Sequence, residues 1–282
     1  MEQLLKGKAV ADAIDEELTK RLTAFYERGV VPTLAIVRVG ENPSDIAYEN
    51  GALKKAKKVG VQTEKFICSA DIDEDDLIAV IESINQNQSI DGILLLQPLP
   101  SHIDGERVRN AIAPEKDLDC ISDGALGRFF TGKDAFAPCT AESCMEILRY
   151  YNIPIEGKKA VVIGRSMVIG KPVALMLLKR NATVTICHTK TPKEELVKLC
   201  READIIVAAA GKAGAVTAEM TSPGQTVIDV GINFTEEGKM VGDAAFEEVS
   251  QIVDNITPVP GGVGSVTTTL LMKHLIDAAE RK

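Results

Sequence analysis

Short apolar runs alternate along this chain with longer stretches in which apolar residues recur at helical spacing. Such runs are typical of strands buried on both faces of a parallel sheet, and the longer stretches suit crossover helices. The pattern therefore predicts an α/β fold with parallel sheets and right-handed crossovers. The predicted strands are Thr33–Val39, Gln62–Cys68, Asp91–Leu96, Lys159–Ile163, Thr183–Cys187, Asp204–Ala209 and Thr226–Val230. The predicted helices are 45–59, 74–87, 140–151, 171–180, 193–202 and 266–280.

The predicted strands form two groups, separated by a loop-rich stretch with short helical pieces, Ile103–Gly132. A chain of 282 residues is long enough for two domains, since a domain commonly has about 150. We therefore expect two α/β domains with a cleft between them, and a helix over 140–151 that bridges them.

Composition and charge exclude several classes of protein. Lys and Arg number 32 against 41 Asp and Glu, so the net charge is −9, which argues against a nucleic-acid partner. No apolar run approaches the ~18 residues of a membrane span, and the first twenty residues lack a signal-peptide pattern. The six cysteines and three histidines show no metal-binding spacing, so no metal is predicted, and we expect free thiols in a reducing cytoplasm.

A glycine turn follows the strand Lys159–Ile163 and precedes the next predicted helix. Gly164 and Gly170 enclose a short loop that starts with Arg165, a geometry that places a pyrophosphate at a helix N-terminus. The spacing is not GxGxxG, so taken alone it is also compatible with a plain tight turn.

The following strand indicates which dinucleotide would bind. NAD sites usually carry an acidic residue at the end of this strand, whereas here His188, Thr189 and Lys190 follow it. Arg165, Thr189 and Lys190 could converge on a 2′-phosphate, which favours NADP and a Rossmann-like second domain. Lys190 alone is equally explained as a solvated surface lysine, and NAD stays open as the alternative.

Several motifs in a fixed order extend this picture over the whole chain. They are the Pro/Gly-rich loop Thr257–Gly264, Gly164-Arg165-Ser166, Asp229–Asn233, Pro138-Cys139-Thr140 and Lys116-Asp117-Leu118-Asp119. Together they resemble the methylenetetrahydrofolate dehydrogenase/cyclohydrolase family. The resemblance implies a cytoplasmic homodimer of one-carbon metabolism, with a folate-binding catalytic domain over 1–138, joined by the C-terminal helix 266–282. It also implies a Rossmann-like NADP-binding domain over 139–265.

The resemblance implies oxidation of 5,10-methylenetetrahydrofolate to the methenyl cation by hydride transfer to NADP, followed in the family by hydrolysis of that cation. Tyr48 matches the tyrosine that stacks on the folate, although a core tyrosine is the alternative, and Asp119 matches the acid that faces the pterin. Both are the expected catalytic residues. Other substrate-binding positions are Leu96, Pro260 and Gly261. The cofactor positions are Gly164, Arg165, Ser166, His188, Thr189 and Ile232.

The departures from the family pattern concern the hydrolase. The family's water-activating lysine corresponds to Ala52, and the glutamine that holds this lysine corresponds to Leu96. Gln97 comes one residue late, which on a strand means the opposite face. Cys120 replaces a usual glycine, and Ser265-Val266 replace a usual Pro-Met.

Three functional hypotheses follow. The first is an NADP-dependent dehydrogenase whose cyclohydrolase activity is doubtful. The second is a fully bifunctional enzyme in which a different lysine, such as Lys55, or Asp119 assists the water. The third is a non-catalytic regulator that binds folate or nucleotide; retention of motifs for both ligands argues against it.

Overall fold

The computed structural model describes residues 3–282, which divide into two compact units. One unit comprises residues 3–12 and Thr140–Thr267; because it holds a six-stranded sheet, we call it the six-stranded unit. The other comprises Ala13–Cys139 and Thr268–Lys282; it holds a three-stranded sheet, and we call it the three-stranded unit. The functional domain boundaries at 138/139 and 265/266 stay a prediction.

The strands, numbered along the chain, are β1 Gln3–Leu4, β2 Thr33–Val39, β3 Gln62–Cys68, β4 Gly92–Leu95, β5 Lys159–Ile163, β6 Thr183–Cys187, β7 Ile205–Ala208, β8 Thr226–Asp229, β9 Asn233–Phe234, β10 Met240–Val241 and β11 Asn255–Ile256. The α-helices are α1 Gly7–Glu27, α2 Pro43–Val59, α3 Glu74–Gln86, α4 Gly105–Asn110, α5 Asp123–Phe130, α6 Cys139–Tyr150, α7 Gly170–Lys179, α8 Lys193–Glu202, α9 Phe246–Val249 and α10 Thr267–Glu280. Short 3₁₀ turns occupy Ala218–Met220 and Val263–Ser265.

Both main sheets are parallel, as the sequence predicts. The three-stranded sheet has the order β3-β2-β4, and the six-stranded sheet has the order β1-β11-β8-β7-β5-β6. Within residues 3–282, only β9 and β10 pair antiparallel, outside these sheets. The prediction of an α/β fold with two parallel-sheet units is confirmed.

The core of the three-stranded unit explains why the apolar run Thr33–Val39 forms a strand. In β2, Leu34 and Val37 are fully buried, and α3 packs Leu77 and Ile81 against one face of the sheet. Central strands buried on both faces read as continuous apolar runs, which is why β2 was predictable to the residue.

The long helix α1 is the main element that the sequence analysis did not predict. Its buried residues recur about every four positions, at Val10, Ile14, Leu18 and Leu22, so the helical period is present. The two-residue strands β1 and β11 were also missed, because such short segments carry no periodicity of their own. Within residues 3–282, no helix is long and apolar enough to cross a membrane.

One buried lysine closes the C-terminal end of α3. Lys116 is 4% exposed, and its ammonium donates to the carbonyl oxygens of Ile84, Asn85 and Asn87 at 2.7, 2.9 and 2.7 Å. The last carbonyls of a helix have no intrahelical partner, and a cation there also meets the negative end of the helix dipole. Lys116 therefore caps α3 and fixes the start of the loop that follows it.

We predict that Lys116→Met destabilises the protein by about 3 kcal/mol, because three carbonyl groups at the end of α3 lose their donor and the buried site keeps no cation. The measurement is the midpoint of urea denaturation. Lys133→Met is the matched control, since Lys133 is exposed and makes no side-chain hydrogen bond among the described residues. Equal midpoints for the two variants would contradict the capping role.

Candidate active site

Helix α2 carries Tyr48 on its exposed side. Asn42 caps the helix by accepting from the Ser44 backbone N–H, and Pro43 starts it, which is the arrangement that a helix N-terminus favours. The Tyr48 side chain is 39% exposed, so it is not a core residue. The buried face of α2 is formed by Asp45, Glu49, Ala52, Ala56 and Val59.

Asp119 lies close enough to Tyr48 for their charges to interact. Asp119 Oδ1 accepts a hydrogen bond of 2.9 Å from the Cys139 backbone N–H. Burial raises the pKa of Asp119 above the usual carboxyl range, although the bonds from Cys139 oppose this. Burial also raises the pKa of Tyr48, and the negative charges of Asp119 and Cys139 raise it further. The two predicted catalytic residues thus share one environment in the three-stranded unit.

The loop that carries Asp119 is held by the residue two positions earlier. The buried Asp117 carboxylate accepts from the backbone N–H groups of Ile121 and Ser122, at 3.0 and 2.8 Å, and from the Ser122 hydroxyl at 2.6 Å. Cys120 has φ of +52°, a left-handed conformation that glycine adopts more readily. The replacement of a usual glycine at Cys120 therefore leaves a strained residue directly after Asp119.

The positions expected for the hydrolytic lysine and its glutamine are apolar and buried. Ala52 is 0% exposed and Leu96 is 5% exposed. Gln97 is exposed instead, and its Oε1 accepts a long hydrogen bond of 3.4 Å from Arg109. Leu96 and Gln97 therefore lie in different environments, and whether Gln97 can replace the missing amide stays a prediction.

Lys55, the lysine nearest along the helix, is held in a different interaction. Its ammonium contacts both carboxylate oxygens of the buried Asp15 at 2.9 and 3.1 Å. Lys58 contacts the same carboxylate at 2.7 Å. A lysine bound in this way would have to leave a buried ion pair in order to activate water, which is costly.

A second buried ion pair was not foreseen from the sequence. Arg38, at the end of β2, donates from Nε to Glu49 Oε2 at 2.7 Å, and both side chains are below 10% exposed. Arg38 also donates to the Gly40 carbonyl oxygen. A single arginine within an otherwise apolar strand was the available sequence signal, because a buried charge needs a partner. The pair ties α2, next to Tyr48, to the end of β2.

In the six-stranded unit, the turn between β5 and α7 leaves no room for side chains at its two glycines. A Cβ at Gly164, whose φ is +134°, would lie 2.0 Å from the Ala209 carbonyl oxygen. A Cβ at Gly170 would lie 2.4 Å from the Gly164 carbonyl oxygen. The ten-residue helix α7 begins at Gly170, and the hydroxyl of Ser166 accepts from the Ile169 N–H at 3.3 Å. This turn gives a ligand phosphate close access to the backbone and to a helix N-terminus.

The other predicted cofactor residues follow neighbouring strands. Gly164 N–H donates to the Cys187 carbonyl oxygen at 2.9 Å, so the loop with Arg165 starts beside the loop with His188 and Thr189. Arg165 and Thr189 are exposed, and Arg165 forms no ion pair within residues 3–282. The backbone N–H of Lys190 donates to His188 Nδ1 at 3.2 Å. The loops after β5 and β6 therefore offer an exposed guanidinium, that of Arg165, which suits an anionic group of a ligand.

A pocket at the carboxyl end of β8 brings together the remaining predicted residues of this unit, Ile232, Pro260 and Gly261. Ile232 is 62% exposed, an unusual exposure for an isoleucine. Asp229 lies in the wall of the pocket and accepts three backbone N–H bonds; burial, with the charge of Asp243, nevertheless raises its pKa to about 6.

Within the described residues, no group of three or more His, Cys, Asp or Glu side chains is arranged to hold a metal ion.

The parallel sheets, the glycine turn before α7 and the loops at the strand ends define a dinucleotide-binding α/β protein. Comparison with models of protein families identifies the family within this class. The model for the tetrahydrofolate dehydrogenase/cyclohydrolase NAD(P)-binding domain matches residues 138–282, and that for the catalytic domain of the same family matches residues 5–119. The chain belongs to the tetrahydrofolate dehydrogenase/cyclohydrolase family, which confirms the resemblance.

Individual relatives agree over the full length. The bifunctional protein FolD of Carboxydothermus hydrogenoformans is 50% identical over 99% of this chain and 98% of its own. The crystal structure of FolD from Campylobacter jejuni is 38% identical, has a TM-score of 0.96, and covers 100% of this chain and 99% of its own. A Trypanosoma brucei FolD structure, complexed with NADP cofactor and inhibitor, is 34% identical, with a TM-score of 0.93 and coverage of 99% and 98%.

We predict that Tyr48→Ala raises the KM for methylenetetrahydrofolate about 10-fold while the melting temperature changes by less than about 3 °C. A ring that stacks on a ligand loses binding when removed, whereas a core ring would cost roughly 3 kcal/mol or more of stability. Tyr48→Phe keeps the ring, so its KM should stay near that of the wild type.

Tyr26→Ala is the control for this prediction. Tyr26 is also about half exposed in the same unit, and its hydroxyl donates to the Gly60 carbonyl oxygen. A large fall in the melting temperature of Tyr48→Ala, with an unchanged KM, would assign Tyr48 to packing.

Proposed function

We propose that this protein oxidises 5,10-methylenetetrahydrofolate to 5,10-methenyltetrahydrofolate with NADP as hydride acceptor, and that it hydrolyses the methenyl product little or not at all. The observation that carries the proposal is the contrast within the three-stranded unit. Tyr48 and Asp119 are present in one shared environment, while Ala52 and Leu96 are buried and apolar.

The two reactions make different demands on the protein. In the first, a C–H bond of the substrate's methylene carbon breaks and the hydride leaves with both electrons, so the product carbon becomes cationic. This step requires that the substrate carbon and the hydride acceptor are held close together in the correct orientation. Such positioning can lower the activation barrier by roughly 7–11 kcal/mol. Hydrolysis requires in addition a group that takes a proton from water and holds that water over the cationic carbon.

The residues of the three-stranded unit fit the first demand. We propose that the Tyr48 ring stacks on the folate and that the Asp119 carboxylate faces its pterin. Asp119 is oriented by the Cys139 N–H, so its carboxylate is held in place before a ligand donor binds to it. Leu96 would add an apolar contact, and we propose Pro260 and Gly261 as further folate-binding residues.

The residues of the six-stranded unit fit NADP. We propose that Gly164 and Ser166 border the pyrophosphate and that Arg165 pairs with the 2′-phosphate, with His188 and Thr189 beside it. Ile232 would cover part of the cofactor from the end of β8. NADP supplies, when bound, the nicotinamide ring that accepts the hydride. The matched NAD(P)-binding domain and the NADP complex of the Trypanosoma brucei relative support this assignment.

The bifunctional alternative needs a substitute base, and the lysine of α2 that shares a helix face with Tyr48 and Ala52 is Lys55, which is engaged. Lys55 is held by Asp15, and Arg38, near the end of β2, is held by Glu49. A non-catalytic regulator is disfavoured because the chain keeps residues for both ligands. We also propose that the protein is a homodimer, as the family resemblance implies, and that it is cytoplasmic, as its cysteine usage suggests.

We predict that Arg165→Ala weakens the use of NADP by roughly 10- to 150-fold, since a charge-assisted contact contributes about 1.5–3 kcal/mol. The use of NAD should change by less than about 3-fold. Initial rates of reduction at varied NADP and NAD concentrations measure both effects. Arg180→Ala, at the other end of α7, is the control. Equal losses with both cofactors would place Arg165 on the shared pyrophosphate or in a structural role.

We predict that the protein leaves methenyltetrahydrofolate hydrolysis near its uncatalysed rate while the dehydrogenase is active. Decay of the methenyl absorbance, with enzyme and in buffer alone, measures this. Ala52→Lys with Leu96→Gln should restore part of the hydrolysis. Ala52→Met with Leu96→Gln is matched in side-chain length and lacks the amine, so it should not.

Lys55→Ala tests the bifunctional alternative directly. We expect this change to leave both activities nearly unaltered, because Lys55 is engaged with Asp15. Robust hydrolysis by the wild type would contradict our proposal, and its loss in Lys55→Ala would show that the base lies one turn along α2. An absence of folate-dependent NADP reduction would support the hypothesis that the protein is a non-catalytic regulator.

A further inference from the structure

A buried histidine on the C-terminal helix contacts the loop that carries Asp119. His274 on α10 is 2% exposed, and its ring stacks on Phe136 with 4.9 Å between ring centroids and 29° between planes. Its Nδ1 lies 2.7 Å from the carbonyl oxygen of Leu118. Because a carbonyl only accepts, Nδ1 carries a proton and donates it to Leu118. The bonded carbonyl belongs to the residue directly before Asp119.

The same histidine reaches the residue that holds the Asp119 carboxylate. His274 Nδ1 lies 3.6 Å from Cys139 Sγ, and the Cys139 backbone N–H donates to Asp119 Oδ1 at 2.9 Å. Leu118, His274, Cys139 and Asp119 thus form one connected cluster. Its effect is to constrain Asp119 from two sides, through the peptide before it and through its own carboxylate.

The constraint is applied beside a strained residue. Cys120 follows Asp119 with φ of +52°, in the left-handed region that residues other than glycine rarely adopt. Such a conformation persists only where the surrounding structure holds it. The hydrogen bond from His274 to Leu118 supplies a restraint on the amino-terminal side of Asp119, and Asp117 supplies one on the carboxyl-terminal side through Ile121 and Ser122.

We propose that His274 is a positioning residue for the folate site, which anchors the Leu118 carbonyl and thereby holds the Asp119 carboxylate in its binding orientation. This inference rests on the proposed function, in which Asp119 faces the pterin. His274 is not proposed as a catalytic residue, because its ring is buried and its donor atom is engaged with Leu118.

Two substitutions of His274, to side chains that are similar in shape to each other, separate the effect of the hydrogen bond from the effect of packing. Both His274→Asn and His274→Leu remove the ring that stacks on Phe136, but asparagine retains an N–H donor near the position of Nδ1. We expect the KM for methylenetetrahydrofolate, and the Kd from isothermal titration calorimetry, to rise roughly 10- to 100-fold in His274→Leu. In His274→Asn the rise should stay below about 3-fold, and the KM for NADP should change less than about 2-fold in both.

These readouts distinguish positioning from a loss of folded protein. A smaller folded fraction lowers the apparent kcat and leaves KM unchanged, whereas a misplaced Asp119 raises KM and Kd. His102→Leu is the control, since the exposed His102 ring also bonds a backbone carbonyl, that of Ile72 at 3.1 Å. We expect this control to keep wild-type kinetics.

A second-site change tests the role of strain. Cys120→Gly removes the left-handed penalty, so it should partly rescue the folate KM when combined with His274→Leu, by at least about 3-fold. Cys120→Gly by itself should keep a KM near that of the wild type. The double variant also addresses the case in which His274→Leu alone folds poorly.

An unchanged folate KM and Kd in His274→Leu would overturn the inference and leave the proposed function intact. Equal increases in the asparagine and leucine variants would also overturn it, since the hydrogen bond would then be irrelevant. A wild-type chain that neither binds nor oxidises the folate substrate would overturn the proposed function, and this inference with it.

Discussion

Buried aspartates that accept backbone N–H bonds organise the loops at the carboxyl ends of both parallel sheets. These loops leave the ladder of the sheet, so their N–H groups need new acceptors when they are buried. Asp243 is fully buried and accepts from three consecutive N–H groups, those of Ala210, Gly211 and Lys212, at 2.6 to 2.9 Å. Asp229, Asp117 and Asp119 perform the same task for the loops after β8, before α5 and before α6. Without these acceptors, the predicted ligand-binding loops would lack a defined backbone.

Burying these carboxylates has an electrostatic cost, because a charged group loses its hydration. Burial raises the pKa of Asp229 to about 6, despite the three N–H bonds that favour its ionised form. The N–H donors around Asp243 and the bond from Cys139 to Asp119 offset part of the desolvation. The carboxylates are therefore fixed because they organise the loops, and Asp119 has a defined orientation as a consequence.

The same reasoning explains how a chain can keep hydride transfer and lose hydrolysis. Positioning comes from loop backbones and is spread over many hydrogen bonds, whereas water activation depends on one lysine and its partner. At Ala52 and Leu96 the sheet and helix pack as an ordinary apolar core. The neighbouring charged groups are engaged in pairs, Arg38 with Glu49 and Lys55 with Asp15. Restoring a base at these positions would require the insertion of a charge into a packed interface, which is costly.

The sequence predicted the parts that local patterns encode. Strands β2, β3, β5 and β6 match residue for residue. β2 and β5 are bounded apolar runs that are almost wholly buried, whereas β3 and β6 are edge strands that are partly exposed. The two-residue strands β1 and β11 were missed, since only pairing with distant residues makes them strands. The family came from motif order, and the glycines at 164 and 170 were placed correctly because their turn is a local feature.

What could not be predicted is the division of roles inside a motif. Lys116, Asp117 and Asp119 stand within four residues, yet Lys116 caps α3, Asp117 holds the following loop, and only Asp119 shares the environment of Tyr48. The hydrogen-bond partners of Lys116 lie up to 32 residues away in the chain and that of Asp119 lies 20 residues away, so no local pattern contains this information. His274 is the extreme case, because its bond to Leu118 spans 156 residues. A motif thus identifies the family, while the long-range contacts of each member decide which of its residues can meet a ligand.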